Sequence, residues 1–130
     1  MTSVRRKEPA GAHPTGRAPD KPLAWLSGEL KTPPLSSDAR VEAGVLLRRL
    51  QRGEVLSMPE SRPMPSIGPR CHELRVDDTV QKREWRVIYY VGRLAIPVLD
   101  VFAKDTRATP VEVIRQSKRR LADFRKVDES

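Results

Sequence analysis

Apolar residues along this chain follow three successive rhythms. From Ser36, the residues Ala39, Ala43, Leu46, Leu47 and Leu50 recur at i, i+4, i+7, i+8 and i+11, which draws one stripe down a helix. Ser36 or Ser37 suits its N-cap, Asp38 complements the helix dipole, and Gly53 suits the left-handed position past its end. Arg40, Arg48 and Arg52 face away from the stripe. From Cys71 the period shortens to two. Cys71–Val76, Glu84–Val91 and Leu94–Lys104 are rich in β-branched and aromatic residues, and turn formers at Asp77-Asp78 and Gly92 separate them. An antiparallel meander accounts for this economically, with Pro97 at a strand start, bulge or edge. The third rhythm is helical again: Thr109-Pro110-Val111-Glu112 reads as a capping box with proline at the first helical position, and Ile114, Ser117, Leu121 and Phe124 form the buried stripe.

The intervening segments are punctuated by proline. Leu23 to Ser27 predicts a short edge strand, which Gly28 interrupts and Pro33-Pro34 ends. Glu54 to Arg70 carries Pro59, Pro63, Pro65 and Pro69, a density that predicts a long, stiffened surface loop without helix or central strand. Residues 1–21, with Pro9, Pro14 and Pro19 and few large apolar side chains, predict a disordered basic arm. One domain over 22–126 and a short tail at 127–130 complete the chain, and the fold class is α+β.

Strand alternation sorts the meander into two faces. Leu74/Val76, Trp85/Val87/Tyr89/Val91 and Leu99/Val101 make a core face. Glu73/Arg75, Arg86/Ile88/Tyr90 and Asp100/Phe102/Lys104 make the other, which is expected to turn Arg75, Arg86 and Lys104 toward solvent. Guanidinium forks and an ammonium on a concave sheet are suited to phosphate.

Charge strengthens that reading. Among 130 residues, 25 Lys+Arg against 17 Asp+Glu leave a net charge of +8, so a polyanionic partner is the first expectation. The single cysteine, Cys71, excludes an intrachain disulfide framework, and with His13 and His72 alone beside it neither a metal centre nor another cofactor is expected. No apolar run reaches the roughly 20 residues needed to span a bilayer, and a soluble cytoplasmic protein is expected. Glu73 and Glu84 lie on different strands with no sign of approach, Cys71 and His72 point to opposite faces, and Trp25 and Trp85 are expected in the core.

The order of several runs is more specific than any one of them. Cys71-His-Glu-Leu-Arg-Val, Trp85-Arg-Val-Ile-Tyr-Tyr and Asp100-Val-Phe-Ala-Lys-Asp-Thr-Arg-Ala-Thr-Pro precede a helix containing Lys-Arg-Arg-Leu. Leu-Leu-Arg-Arg-Leu-Gln-Arg-Gly and Ser61-Arg-Pro-Met-Pro-Ser-Ile-Gly come before them. Over roughly Leu23 to Lys126 this order resembles the phage-derived HigB branch of the RelE/ParE toxin superfamily. The resemblance implies a RelE-like fold: a twisted, mainly antiparallel sheet with N-terminal helix packing and a C-terminal helix. It also implies a helix-turn-helix (HigA-like) antitoxin as partner, and ribosome-dependent cleavage of mRNA by attack of a ribose 2′-hydroxyl on the adjacent phosphate, without a metal. Arg75, Arg86 and Lys104 match the basic sheet positions that stabilise the transition state, and Arg107 extends the site. With Arg115, Lys118 and Arg119 on the last helix, Arg107 is expected to position RNA. The His or Tyr that some relatives carry near the C-terminal end of the site is absent, leaving Glu73 and Tyr90 for proton transfer. Two alternatives stand beside this one: a ParE-like toxin that binds DNA gyrase without catalysis, and a non-enzymatic nucleic-acid-binding protein of a phage or mobile element.

Overall fold

The structure, a computed structural model, describes residues 19–26, 34–105 and 108–129. Its elements in chain order are β1 (Leu23–Trp25), α1 (Ser37–Gln51), β2 (Ser61–Pro63), β3 (Cys71–Asp78), β4 (Arg83–Tyr90), β5 (Ile96–Lys104) and α2 (Val111–Asp128). The strands form one sheet in the order β1-β5-β4-β3-β2, in which β1 alone pairs in parallel. The α+β architecture is therefore that expected, a mainly antiparallel sheet flanked by an N-terminal and a C-terminal helix.

Local chemistry explains α1. The Ser36 hydroxyl accepts from the Ala39 N–H, Gly53 takes φ +95° just past the helix, and Ala39, Ala43, Leu46, Leu47 and Leu50 are buried. They pack on Leu74, Val76, Trp85, Val87 and Tyr89 from one face of the sheet. Each leucine among them contributes roughly 1.5–3 kcal/mol by leaving water.

Four features depart from the sequence reading. First, the Pro-rich segment is not loop throughout. Ser61–Pro63 pairs with His72–Leu74 as β2, at the edge of the sheet, where proline's missing N–H costs no ladder bond. Second, the capping box does not form. Pro110 takes the cap position with no side-chain hydrogen bond, the Thr109 hydroxyl turns to Glu73, and Glu112 binds Arg115. Third, the pairs Ile88↔Asp100 and Tyr89↔Val98 leave Leu99 as an extra residue in β5. This bulge reverses the alternation there, so Leu99 points away from Val98 and Val101 and joins the opposite cluster. Fourth, Asp20 and Lys21, assigned to the arm, are docked: Asp20 pairs with Arg48, and the Lys21 N–H donates to the Gln51 carbonyl. The rest of the arm, residues 1–18, lies outside the described residues.

The second face of the sheet is not simply solvated. Leu121 and Phe124 of α2 cover Cys71, Ile88, Tyr90 and Leu99. This lid spans only one end of the strands, and the charged side chains lie beyond it.

Candidate functional site

Register fixes what stands together on the α2 side of the sheet. Three rows cross the strands: Arg62, Glu73, Ile88 and Asp100; then Arg75, Arg86 and Phe102; then Asp77, Glu84 and Lys104. Arg75, Arg86 and Lys104, separated by up to 29 positions in the chain, are thus neighbours, as alternation predicted. The expected basic face is, however, largely offset in charge, because Glu73, Asp77 and Glu84 stand against Arg62, Arg75, Arg86 and Lys104, while Asp100 pairs with Arg120 of α2 at 3.7 Å.

Arg86 is the centre of this arrangement, and its placement corrects the expectation of a solvent-facing residue. It is 1% exposed. Its Nη2 donates to Glu84 Oε1 at 2.6 Å, and its Nε lies 3.4 Å from Glu73 Oε1. Glu73 is 0% exposed, accepting from Arg62 Nη2 at 2.9 Å on one oxygen and from the Thr109 hydroxyl at 2.7 Å on the other. A carboxylate this deep is tolerable only when paired and hydrogen-bonded, and here both conditions hold. Nε and Nη1 of Arg86, by contrast, are buried without a hydrogen-bond partner. Glu73 and Glu84, expected to be unrelated, bind the same guanidinium.

Arg75 is half-buried, its backbone N–H donating to the Glu60 carbonyl and its Nη1 lying 3.8 Å from Met58 Sδ. With Arg86 it borders an open cleft of about 330 Å³ whose other walls include Glu42, Glu60, Asp77 and Glu84. Lys104 is partly exposed. Loss of hydration pushes its ammonium below the ordinary lysine range, the Arg86 guanidinium pushes it further, and Glu73 opposes them.

The other expected site residues that are described lie apart from this centre. Tyr90 is four residues from Arg86 on β4, roughly 13 Å at the usual strand rise, buried under α2 with its hydroxyl donating to Glu129. Burial, together with that carboxylate, raises its pKa. Arg115, Lys118 and Arg119 are exposed on α2, Arg115 paired with Glu112, whereas Arg120 turns in to the Leu99 carbonyl. Arg107 lies outside the described residues. Cys71 and His72 point apart as expected: burial pushes the thiol up to about 11, and His72 stacks on Tyr89 with its pKa lowered by burial.

Residues 33–122 match the model of a family described as "Phage derived protein Gp49-like (DUF891)". The chain belongs to this family. The Gp49-like match runs from before α1 into the last turns of α2, and so contains Arg62, Glu73, Arg75, Glu84, Arg86, Lys104 and Thr109. No curated protein matches the chain. Among the described residues there is no group of three or more His, Cys, Asp or Glu able to hold a metal, and no helix is long and apolar enough to cross a membrane.

Sequence reasoning missed Arg62 and Thr109 as members of the network. Arg62 was hidden in a segment read as loop, and Thr109 had a local role ready for it. Alternation on β2 could have found the first, since Arg62 falls opposite Glu73 once Ser61–Pro63 is recognised as a strand.

Proposed function

We propose that this Gp49-like protein is the toxin of a type II toxin-antitoxin module, an endonuclease that cleaves mRNA on the ribosome and is restrained by a helix-turn-helix antitoxin. The observation that carries this reading is Arg86, a buried, preorganised guanidinium with an unpaired Nη1, flanked across the strands by Arg75 and accompanied by Lys104. The sequence resemblance to the HigB branch of RelE/ParE toxins and the membership of a phage-derived family point the same way.

The chemistry asks little of the protein. The nucleophile is the substrate's own 2′-hydroxyl oxygen, which gives its proton to water and attacks phosphorus while the bond to the 5′-oxygen breaks and that oxygen takes up a proton, leaving a 2′,3′-cyclic phosphate and a 5′-hydroxyl. The protein must align these atoms and stabilise the extra charge on the phosphorane-like transition state. In this reading Arg86 faces the phosphate with its fork, Arg75 holds a neighbouring phosphate, and Lys104, the ammonium diagonal to Arg86 on the same face, adds a point charge and donates the proton that the leaving 5′-oxygen takes up. Glu73 has its oxygens engaged by Arg62, Arg86 and Thr109, so it positions Arg86. Tyr90 is too distant to take part.

A non-catalytic role in binding gyrase, which needs no basic sheet face, is favoured by the offset charge of that face. One experiment separates the two: inducible expression followed by mapping of transcript 5′ ends. Cuts within translated codons that disappear in a folded Arg86 variant support the nuclease. Growth arrest without such cuts rejects it in favour of the binding role.

A further inference from the structure

Arg86 is held by two carboxylates of opposite character. Glu73 is sealed from solvent and fixed by Arg62 and Thr109 as well as by Arg86. The side chain of Glu84 is 51% exposed, borders the cleft, and holds Nη2 at 2.6 Å. The adjacent Nη1 has no partner. A guanidinium fork that offers two parallel N–H donors is therefore occupied at one prong by an oxygen that can leave to water, while its other prong is buried without a partner behind that carboxylate.

We infer that Glu84 is an exchangeable counter-ion of Arg86, standing where an oxygen of a phosphate group would bind, and that its carboxylate sets the affinity of the site for phosphate anions. This rests on the reading of the face as a phosphodiester site and names the residue that limits it. Exchange of one anion for another keeps the buried guanidinium paired throughout, so the site need never expose an isolated charge. The incoming phosphate gains what Glu84 does not supply, a bidentate contact through Nη1 and Nη2. Glu84 returns to water at small cost because half of its surface is already there.

The test uses Glu84→Gln, which keeps shape and an acceptor but removes the charge. Its control is Asp77→Asn, since Asp77 is the cross-strand neighbour of Glu84, borders the same cleft, and belongs to the same charged row. Both positions are exposed, so neither change should unfold the protein. Affinities are measured by NMR titration of the full chain with inorganic phosphate and with a dinucleotide blocked by a 2′-O-methyl group. Glu84→Gln should bind both probes roughly tenfold more tightly than the wild type, Asp77→Asn less than about threefold, and the Arg86 Nε–Hε signal should move as phosphate is added. Equal affinity of Glu84→Gln and wild type, an equal gain from Asp77→Asn, or no binding by any of the three would overturn the inference. Cleavage is read separately on programmed ribosomes. A gain in phosphate affinity without cleavage by any variant would keep Glu84 as counter-ion and reject the nuclease.

Discussion

Burial of Arg86 changes what its replacement is expected to do. Arg86→Ala leaves Glu73 with Arg62 and Thr109 alone, and should cost about 3 kcal/mol of stability, the low end for breaking a buried pair because two partners remain. Below its melting temperature the variant should also lose about 2–4 kcal/mol of transition-state stabilisation in single-turnover cleavage on programmed ribosomes. Arg86→Lys should stay folded and recover only part of the rate, since an ammonium cannot replace the fork. Wild-type cleavage by either folded variant would remove the active site from this face. Thr109 gives a second test. As a helix cap it would matter through the backbone, but it stands against Glu73, so Thr109→Val should destabilise the protein by about 1–2 kcal/mol in urea unfolding while Thr109→Ser remains near wild type. At this scale the residue types of the site were legible, because alternation put Arg75, Arg86 and Lys104 together. The burial of Arg86 was not, since it depends on Glu73 being brought against it from β3, with Arg62 and Thr109 behind.

The secondary elements are tied to one another by few polar contacts, and Asp78 is the clearest. At the end of β3 it accepts from the Ser36 N–H at 2.9 Å, from the Gln81 N–H at 3.1 Å and from Trp85 Nε1 at 3.3 Å. It thereby joins the N-terminus of α1 to the β3–β4 turn. Burial alone would raise its pKa, but the hydrogen bonds from Ser36, Gln81 and Trp85 prevail and lower it from 3.8 to about 2. A carboxylate so depressed stabilises the fold fully above the unfolded value, near pH 4, and loses that contribution as the pH falls toward 2. Asp78→Asn should therefore melt below the wild type at pH 7, and the gap should close as the two are compared from pH 4 down to pH 2. A gap independent of pH would assign the effect to geometry rather than charge. Helix α1, whose cap, stripe and stop all lie within its own sequence, was read correctly. The cap of α2 was misread because the capping-box pattern is local and the claim of Glu73 on Thr109 is not. Asp78, placed by the sequence in a turn, ends a strand for a related reason: its partner, Ser36, is 42 residues away.

At the scale of the molecule, the excess positive charge of the described residues resides on the helices, α2 above all, rather than on the sheet. Arg40, Arg48 and Arg52 are exposed on and just past α1, and Arg115, Lys118, Arg119, Arg125 and Lys126 on α2, outnumbering Asp38, Glu42, Glu112, Asp123 and Asp128 there, while charge on the open sheet face is largely offset. An acidic antitoxin segment would thus be steered mainly by the helices. Raising salt from about 50 to 500 mM, which shortens the screening length roughly threefold, should slow complex formation markedly by stopped-flow fluorescence, and an unchanged rate would exclude steering. Expressed alone, the protein should arrest growth and translation, with relief by its helix-turn-helix partner. Normal growth despite abundant soluble protein would count against a toxin.

The sequence by itself determined the helices, the three long strands, the α+β class and the gathering of basic residues on one sheet face. Those are properties of periodicity and local capping, written in residues a few positions apart. Tertiary structure alone decided the edge strand β2, the bulge that turns Leu99 to the other side, the reach of α2 over only half the sheet, and the burial of Arg86 between Glu73 and Glu84. Each of these depends on which segments meet, and the buried guanidinium, with Glu84 beside it on its own strand, is fully paired only once Glu73 stands against it from β3.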